Sequence, residues 1–234
     1  MVVVPDPVGE GGIVEVDAKR LEHFAELYPN AAQFPTLDEA LKAEFDGFTV
    51  ATPAHTHFDL AARILRAGFS AMVEKPLALN ANEAIALKDI ADTAGQQLMV
   101  GHLMLFHPAI VKIKALIDSG KIGRVQYIYS NRINLGTVRT EENILWSFAP
   151  HDISMILDLL GDGIESITAT GHCFLNHDIP DVTTTHLNFS NGQAAHIFVS
   201  WLHPFKEHRF VVVGSEGMVS FQDSPAGKPF LAST

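Results

Sequence analysis

The chain has 234 residues, 47% apolar and 18% charged, with a formal net charge of −11. That length holds one large or two small domains, and that composition supports a packed core and excludes a disordered chain. The acidic balance is the wrong sign for a nucleic-acid or anionic-membrane surface, and the single Cys173 excludes an internal disulfide and fits a reducing compartment.

No apolar run approaches the ~20 residues of a membrane span. Met1 to Pro7 has no basic flank and too short an apolar stretch for a signal peptide, so the expected location is cytoplasmic. Val2 to Val4 reads as a strand stub before a loop rich in proline and glycine. Ile13 to Val16 predicts a strand ending at Asp17. Leu21, Phe24, Ala25 and Leu27 then mark a helical stripe over Ala18 to Tyr28. Thr36 and Glu39 form a capping box for a short helix, and Phe48 to Ala51 is a buried-strand pattern. Phe58, Ala61, Ala62 and Leu65 return to helical spacing, with Gly68 as the stop. Ala71 to Val73 is a further strand, delivering Glu74 and Lys75 at its carboxyl end. Asn80 and Glu83 cap the next helix, and Gln97 to Val100 is the next strand. From residue 13 to about residue 102 this alternation predicts a right-handed parallel α/β sheet.

The pattern changes after that point. Pro108 to Ser119 predicts an amphipathic helix and Arg124 to Asn134 a long alternating strand. Residues 135–149 read as a polar loop containing Arg139, Glu141, Glu142 and Trp146. Pro150 opens a helix in its first turn, which runs to Gly161. Strand-like runs follow at 165–172, 181–189, 193–202 and 208–214, the middle pair joined by Asn191-Gly192 as a two-residue hairpin turn. The tail from Gln222 is turn-rich. The fold class is therefore α/β: a partial Rossmann parallel sheet over 1–103, then an α+β domain with a mostly antiparallel open sheet over 104–234.

Several residues are placed for chemistry. Pro76 keeps Glu74 and Lys75 out of any following helix, at the strand end where open parallel sheets bind ligands. A surface salt bridge is the plain alternative. Asp17 stands where a carboxylate receives the adenosine ribose of a dinucleotide, or where an aspartate caps a helix. No G-x-G-x-x-G precedes it. That fingerprint belongs about 20 residues upstream, before Met1, so the chain reads as truncated there or as lacking that strand and helix. His55 and His57 lack further ligands at zinc spacing and are expected to line a crevice or cap the helix; no metal is expected. His151, on the first turn of its helix beside Asp152, is a natural proton acceptor near neutral pH or a helix-terminus histidine stabilised by that carboxylate.

The run Ala51-Thr52-Pro53-Ala54-His55-Thr56-His57, then Glu74-Lys75-Pro76, then His151-Asp152 before Leu159-Leu160-Gly161, resembles the glucose-fructose oxidoreductase / inositol dehydrogenase (Gfo/Idh/MocA) family over residues 13–221. The stretches 127–132 and 143–152 further resemble members acting on nucleotide-linked sugars. The resemblance implies an N-terminal Rossmann domain binding NAD, with NADP an alternative, and a C-terminal sheet that mediates homo-oligomerisation. By position, Lys75 would contact the reacting hydroxyl and the nicotinamide ribose, and His151 would exchange the proton. Asp17, Thr52, Pro53, His55 and Glu74 would face the cofactor, and Arg132, Arg139, Ser147 and Asp152 the substrate. Many members carry aspartate where this chain has Ser147, and the chain stops short of the family's usual C-terminal extent. The implied activity is hydride transfer between a sugar or nucleotide-sugar hydroxyl and nicotinamide. A non-catalytic binding or assembly subunit is the alternative from another class.

Overall fold

The computed structural model describes residues 2–4, 11–135, 138, 142–175, 177–222 and 230–233. They fall into two compact units, Met1–Gly101 and His102–Thr234.

The first unit runs β1 (Val2–Val4), β2 (Gly12–Val14), α1 (Ala18–Leu27), β3 (Ala32–Phe34), α2 (Leu37–Ala40), β4 (Gly47–Val50), a single 3₁₀ turn at Ala54–Thr56, α3 (His57–Arg66), β5 (Ser70–Val73), α4 (Ala81–Ala94) and β6 (Leu98–Val100). Its sheet has the order β3-β2-β1-β4-β5-β6, the strand order of a dinucleotide-binding fold. The pairs β2–β3, β4–β5 and β5–β6 are parallel. β1 precedes the stretch expected to be parallel: it lies mid-sheet, with Val3 opposite Ile13 and Thr49, antiparallel to both neighbours. Parallel neighbours need a crossover of about a dozen residues or more. The segment Pro5 to Gly11 is shorter than that, so β1 and β2 can pair only antiparallel.

The helices start where side chains satisfy their first amides. Asp17 accepts from Arg20 N at 2.9 Å, Thr36 from Glu39 N at 3.3 Å and Asn80 from Glu83 N at 3.0 Å. Glu83 in turn accepts from Leu79 N at 3.2 Å, which fixes the entry into α4. The periodicity of α3 places Ala61, Ala62, Ile64 and Leu65 at 0–1% exposure, among Val50, Val73 and Leu87. Burying each branched side chain in such a core contributes about 1.5–3 kcal/mol.

The second unit contains a short 3₁₀ turn, α5 (Pro108–Asp118), β7 (Val125–Leu135), α6 (Ile144–Leu160), β8 (Ile164–His172), β9 (Val182–Phe189), β10 (Ala194–Ser200), β11 (Leu202–Gly214), β12 (Gly217–Gln222) and β13 (Phe230–Ser233). The sheet order is β13-β12-β11-β7-β10-β9-β8, antiparallel throughout except where β10 runs parallel to β7. Ile128, Ser130 and Arg132 alternate onto the covered face of β7, and Met155, Ile156 and Trp201 belong to the same core. On the opposite face Tyr129 stacks on His196 with ring centroids 5.3 Å apart.

Three sequence expectations are corrected here. Helix α6 begins at Ile144, not Pro150, because Asn143 caps it by accepting from Trp146 N at 3.0 Å and Ile144 and Ala149 have core positions to fill. Pro150 therefore lies inside the helix, and His151 and Asp152 are mid-helix residues, not first-turn ones. The β9–β10 connection is longer than a two-residue turn: Gly192 N bonds Phe189 O, Phe189 N bonds Gln193 O, and only Gly192, at φ 81°, is left-handed. Asn191 keeps a negative φ, so the turn is of the glycine-bulge kind. Finally, the pattern-poor tail contains β13, which pairs with β12.

Candidate functional site

In the first unit the carboxyl ends of β4 and β5 lie side by side, since Val50 is in register with Val73. Glu74 N donates to Val50 O at 2.9 Å, extending the ladder one residue past β5. Gly101 N donates to Val73 O at 2.8 Å, and a Cβ on Gly101 would sit 3.2 Å from the Glu74 carboxylate. Glycine there lets that carboxylate lie against the backbone. Lys75 follows half-buried, its amide 3.3 Å from Glu74 Oε2. The ring of His57, 1% exposed, lies 2.7 Å from Pro76 O through Nδ1 and 2.8 Å from Thr52 O through Nε2. It neither caps α3 nor joins a metal cluster. Among the described residues no group of three or more His, Cys, Asp or Glu is arranged to hold a metal.

An open cleft of ≈ 490 Å³ is lined by Glu15, Arg20, His23, Phe24, Ala51, Thr52 and Pro53. Thr52 and Pro53 lie on the wall of this cleft. His55 is exposed and outside that wall. Asp17 is also outside it, and its Oδ1 serves as the cap of α1. The carboxylate on the cleft is that of Glu15, 5% exposed, whose Oε1 accepts from Asp17 N at 3.1 Å. Sequence reasoning passed over Glu15 in favour of the residue at the strand–helix junction. The signal that marks it is a lone charge between Val14 and Val16 in an otherwise apolar run. His57 carried no comparable signal, because nothing local distinguishes it from His55.

In the second unit α6 carries Ser147 and His151 four residues apart, on one helix face. Ser147 is 4% exposed and His151 half-buried. Asp152 points instead to the sheet: it accepts from Ser130 Oγ at 2.6 Å, from Arg132 Nε at 2.8 Å and from Arg132 Nη2 at 3.3 Å. Arg132 and Asp152, expected at the substrate, are 9% and 1% exposed and directed at each other. Arg139 lies outside the described residues.

Farther along the sheet, Asp181 accepts from Leu175 N, Trp201 Nε1 and Phe174 N at 2.7–2.8 Å. Burial opposes its ionisation, but these three donors outweigh burial and hold its carboxyl below the usual carboxylate range. His196 is also shifted down, which for a base favours the neutral form: burial, and then the neighbouring His186, lower its affinity for a proton.

An open sheet in dinucleotide-binding strand order, a carboxylate-edged cleft beyond β2 and β4, and an appended, mostly antiparallel sheet domain define a Rossmann-type oxidoreductase architecture. Two family profiles match this chain: "Oxidoreductase family, NAD-binding Rossmann fold" over residues 11–102 and "GFO/IDH/MocA C-terminal domain" over residues 110–220. The chain belongs to the Gfo/Idh/MocA family of oxidoreductases. It is 30% identical over 191 residues to UDP-N-acetylglucosamine 3-dehydrogenase of Acidithiobacillus ferrooxidans, covering 81% of this chain and 58% of that protein. It is 29% identical over 246 residues to inositol 2-dehydrogenase of Rhizobium meliloti, covering 92% and 74%. The chain thus spans little more than half the length of the first of these relatives. Among solved structures, the WlbA dehydrogenase of Bordetella pertussis, in complex with NADH and UDP-GlcNAcA, superimposes with a TM-score of 0.82 at 21% identity over 90% of this chain and 65% of that one. That likeness is one of fold.

Among the described residues, no helix is long and apolar enough to cross a membrane.

Proposed function

We propose that this chain carries the reacting residues of an NAD-dependent dehydrogenase acting on a secondary hydroxyl of a sugar or nucleotide sugar. The observation that carries this reading is Lys75, at the carboxyl end of β5 within the segment matching the NAD-binding family profile. The names of the relatives support the substrate class and favour an enzyme over a non-catalytic subunit.

The residues present fit the adenosine side of a dinucleotide. Glu15, at the end of β2, presents a carboxylate to the cleft, which suits ribose hydroxyls and repels a 2′-phosphate. Thr52 and Pro53 bound the same cleft. The described residues include no glycine-rich turn opening a helix toward a pyrophosphate. When bound, the cofactor supplies the hydride acceptor. Lys75 then stabilises negative charge developing on the substrate oxygen, and His151 takes the hydroxyl proton. Ser147, one helical turn before His151, offers a neutral hydroxyl toward the same substrate. Arg139 is kept as a contact for a substrate phosphate. Assembly through the exposed face of the second sheet and a cytoplasmic location complete the proposal.

The test is NADH fluorescence titration, then a screen of nucleotide sugars and inositols. Lys75→Ala should abolish turnover while cofactor affinity changes by less than about threefold. His151→Ala should cost about 10²–10⁴ in kcat, the usual contribution of a general base. Wild-type turnover by Lys75→Ala would remove the lysine from the mechanism.

A further inference from the structure

His57 is buried at the start of α3 in a stretch whose other residues, from Ala51 to Thr56, are exposed or half-buried. Its two ring nitrogens reach the carbonyls of two different loops, Thr52 O after β4 and Pro76 O after β5. Both partners are carbonyl oxygens, which only accept. A neutral imidazole donates from one nitrogen and presents a lone pair at the other. At 1% exposure, with both contacts at 2.7–2.8 Å, a neutral ring would leave one nitrogen facing an oxygen with no proton between them. Whichever nitrogen carries the proton, the ring donates to one loop and packs against the carbonyl of the other, so it spans both.

The loops so joined are those of the candidate site. The parallel ladder between β4 and β5 ends at Val50 and Val73. Beyond it, Glu74 N still bonds Val50 O, but Pro76 has no amide hydrogen to donate, and its carbonyl is held by His57. Lys75 therefore sits between two anchored neighbours. On the other loop the Thr56 hydroxyl lies 2.7 Å from the Thr52 hydroxyl and 2.8 Å from Pro53 O, so Thr52 is fixed by its side chain as well as by its carbonyl.

We propose that His57 is a positioning residue: a buried imidazole that bridges the Thr52 and Pro76 carbonyls and thereby sets the backbone from which Lys75 projects. The proposal rests on the reading of Lys75 as the residue that meets the reacting hydroxyl. His57 itself touches neither substrate nor cofactor. Its effect comes through geometry, where a displacement on the order of 1 Å can cost ~10²-fold in rate.

Long-range ¹H–¹⁵N correlation spectroscopy of the full chain at pH 7 tests the clasp without any activity. A slowly exchanging His57 ring N–H proton, held by a carbonyl, should be seen; a ring whose N–H exchanges as fast as that of an exposed histidine would overturn the clasp. His57→Phe keeps a planar ring without donors. It should speed amide exchange in residues 52–56 and 74–79 relative to β6, and lower kcat ~10–100-fold with cofactor affinity changed less than about threefold. His57→Gln, which restores a donor, should recover part of kcat. A folded His57→Phe protein with wild-type exchange and wild-type kcat would overturn the proposal. If that variant does not fold, the spectrum of the unmodified protein still decides. Lys75→Ala separates the two readings: if it retains turnover, the role of Lys75 fails, whereas the ring resonances and exchange rates report on the clasp regardless.

Discussion

Arg132 and Asp152 form a two-point ion pair in the second unit, Nε to Oδ2 at 2.8 Å and Nη2 to Oδ1 at 3.3 Å, with side-chain exposures of 10% and 2%. Ser130 completes the carboxylate's shell at 2.6 Å. The pair joins β7 to α6 one residue from His151, so it sets the height and rotation of the helix face that carries Ser147 and His151. A charge buried this deeply is tolerated because its partner satisfies it; removing one member strands the other.

Asp152→Asn should therefore destabilise the protein by about 3–5 kcal/mol, read as a lowered urea midpoint. The double replacement Arg132→Met with Asp152→Leu should recover most of that loss, since an apolar pair of similar volume leaves no stranded charge. Equal destabilisation of the double and single variants would show that the pair does more than compensate charge.

Glu15 lines the cleft and Asp17 caps α1, so on the proposed reading the ribose falls to Glu15. Glu15→Ser should raise the affinity for NADP relative to NAD, because it removes a negative charge from the cleft wall. Asp17→Ala should leave that ratio unchanged and cost about 0.5–2 kcal/mol of stability through loss of the cap. Paired cofactor titrations and thermal melts on the two variants check both statements. A changed ratio in the Asp17 variant alone would return the ribose to Asp17.

Asp181 predicts acid sensitivity. Its carboxyl is held low by its three donors, so its stabilisation is present above the ordinary carboxylate value near 3.8 and is lost as pH falls through the lowered folded value. Asp181→Asn should flatten the acid limb of stability against pH. At pH 7 it should cost about 1–3 kcal/mol, as at least one buried donor loses its acceptor. Urea midpoints between pH 7 and pH 2.5 measure both effects.

His196 acts in a higher window. Its proton affinity is lowered by burial and by His186, so the unfolded chain binds the proton more readily. Stability is full above the unfolded value of 6.5 and declines as pH drops from there through the folded value. His196→Phe keeps a ring against Tyr129 and should remove that part of the decline between pH 7.5 and pH 5. An unchanged slope in the variant would assign the effect elsewhere.

Local sequence carried the helices and most strands of this protein. Asp17, Thr36 and Asn80 each cap the helix they precede, since capping is a contact between residues three apart. The apolar spacing of α3 and the alternation of β7 likewise marked their buried faces, because burial follows the period of the backbone. The Glu-Lys-Pro turn was legible for the same reason: a charged pair at the end of an apolar run has to leave the core.

What local pattern did not carry was decided by contacts between distant residues. Pro150 looked like a helix start, yet Asn143 and the core positions of Ile144 and Ala149 begin α6 a turn and a half earlier. Arg132 looked free to meet a substrate until Asp152, twenty residues away, took its guanidinium. His57 was indistinguishable from His55 until folding brought the Pro76 carbonyl from nineteen residues away to its ring. Side-chain charge and spacing are properties of the chain. The partner that neutralises a charge, or the second carbonyl that a ring packs against, exists only once separate strands lie side by side.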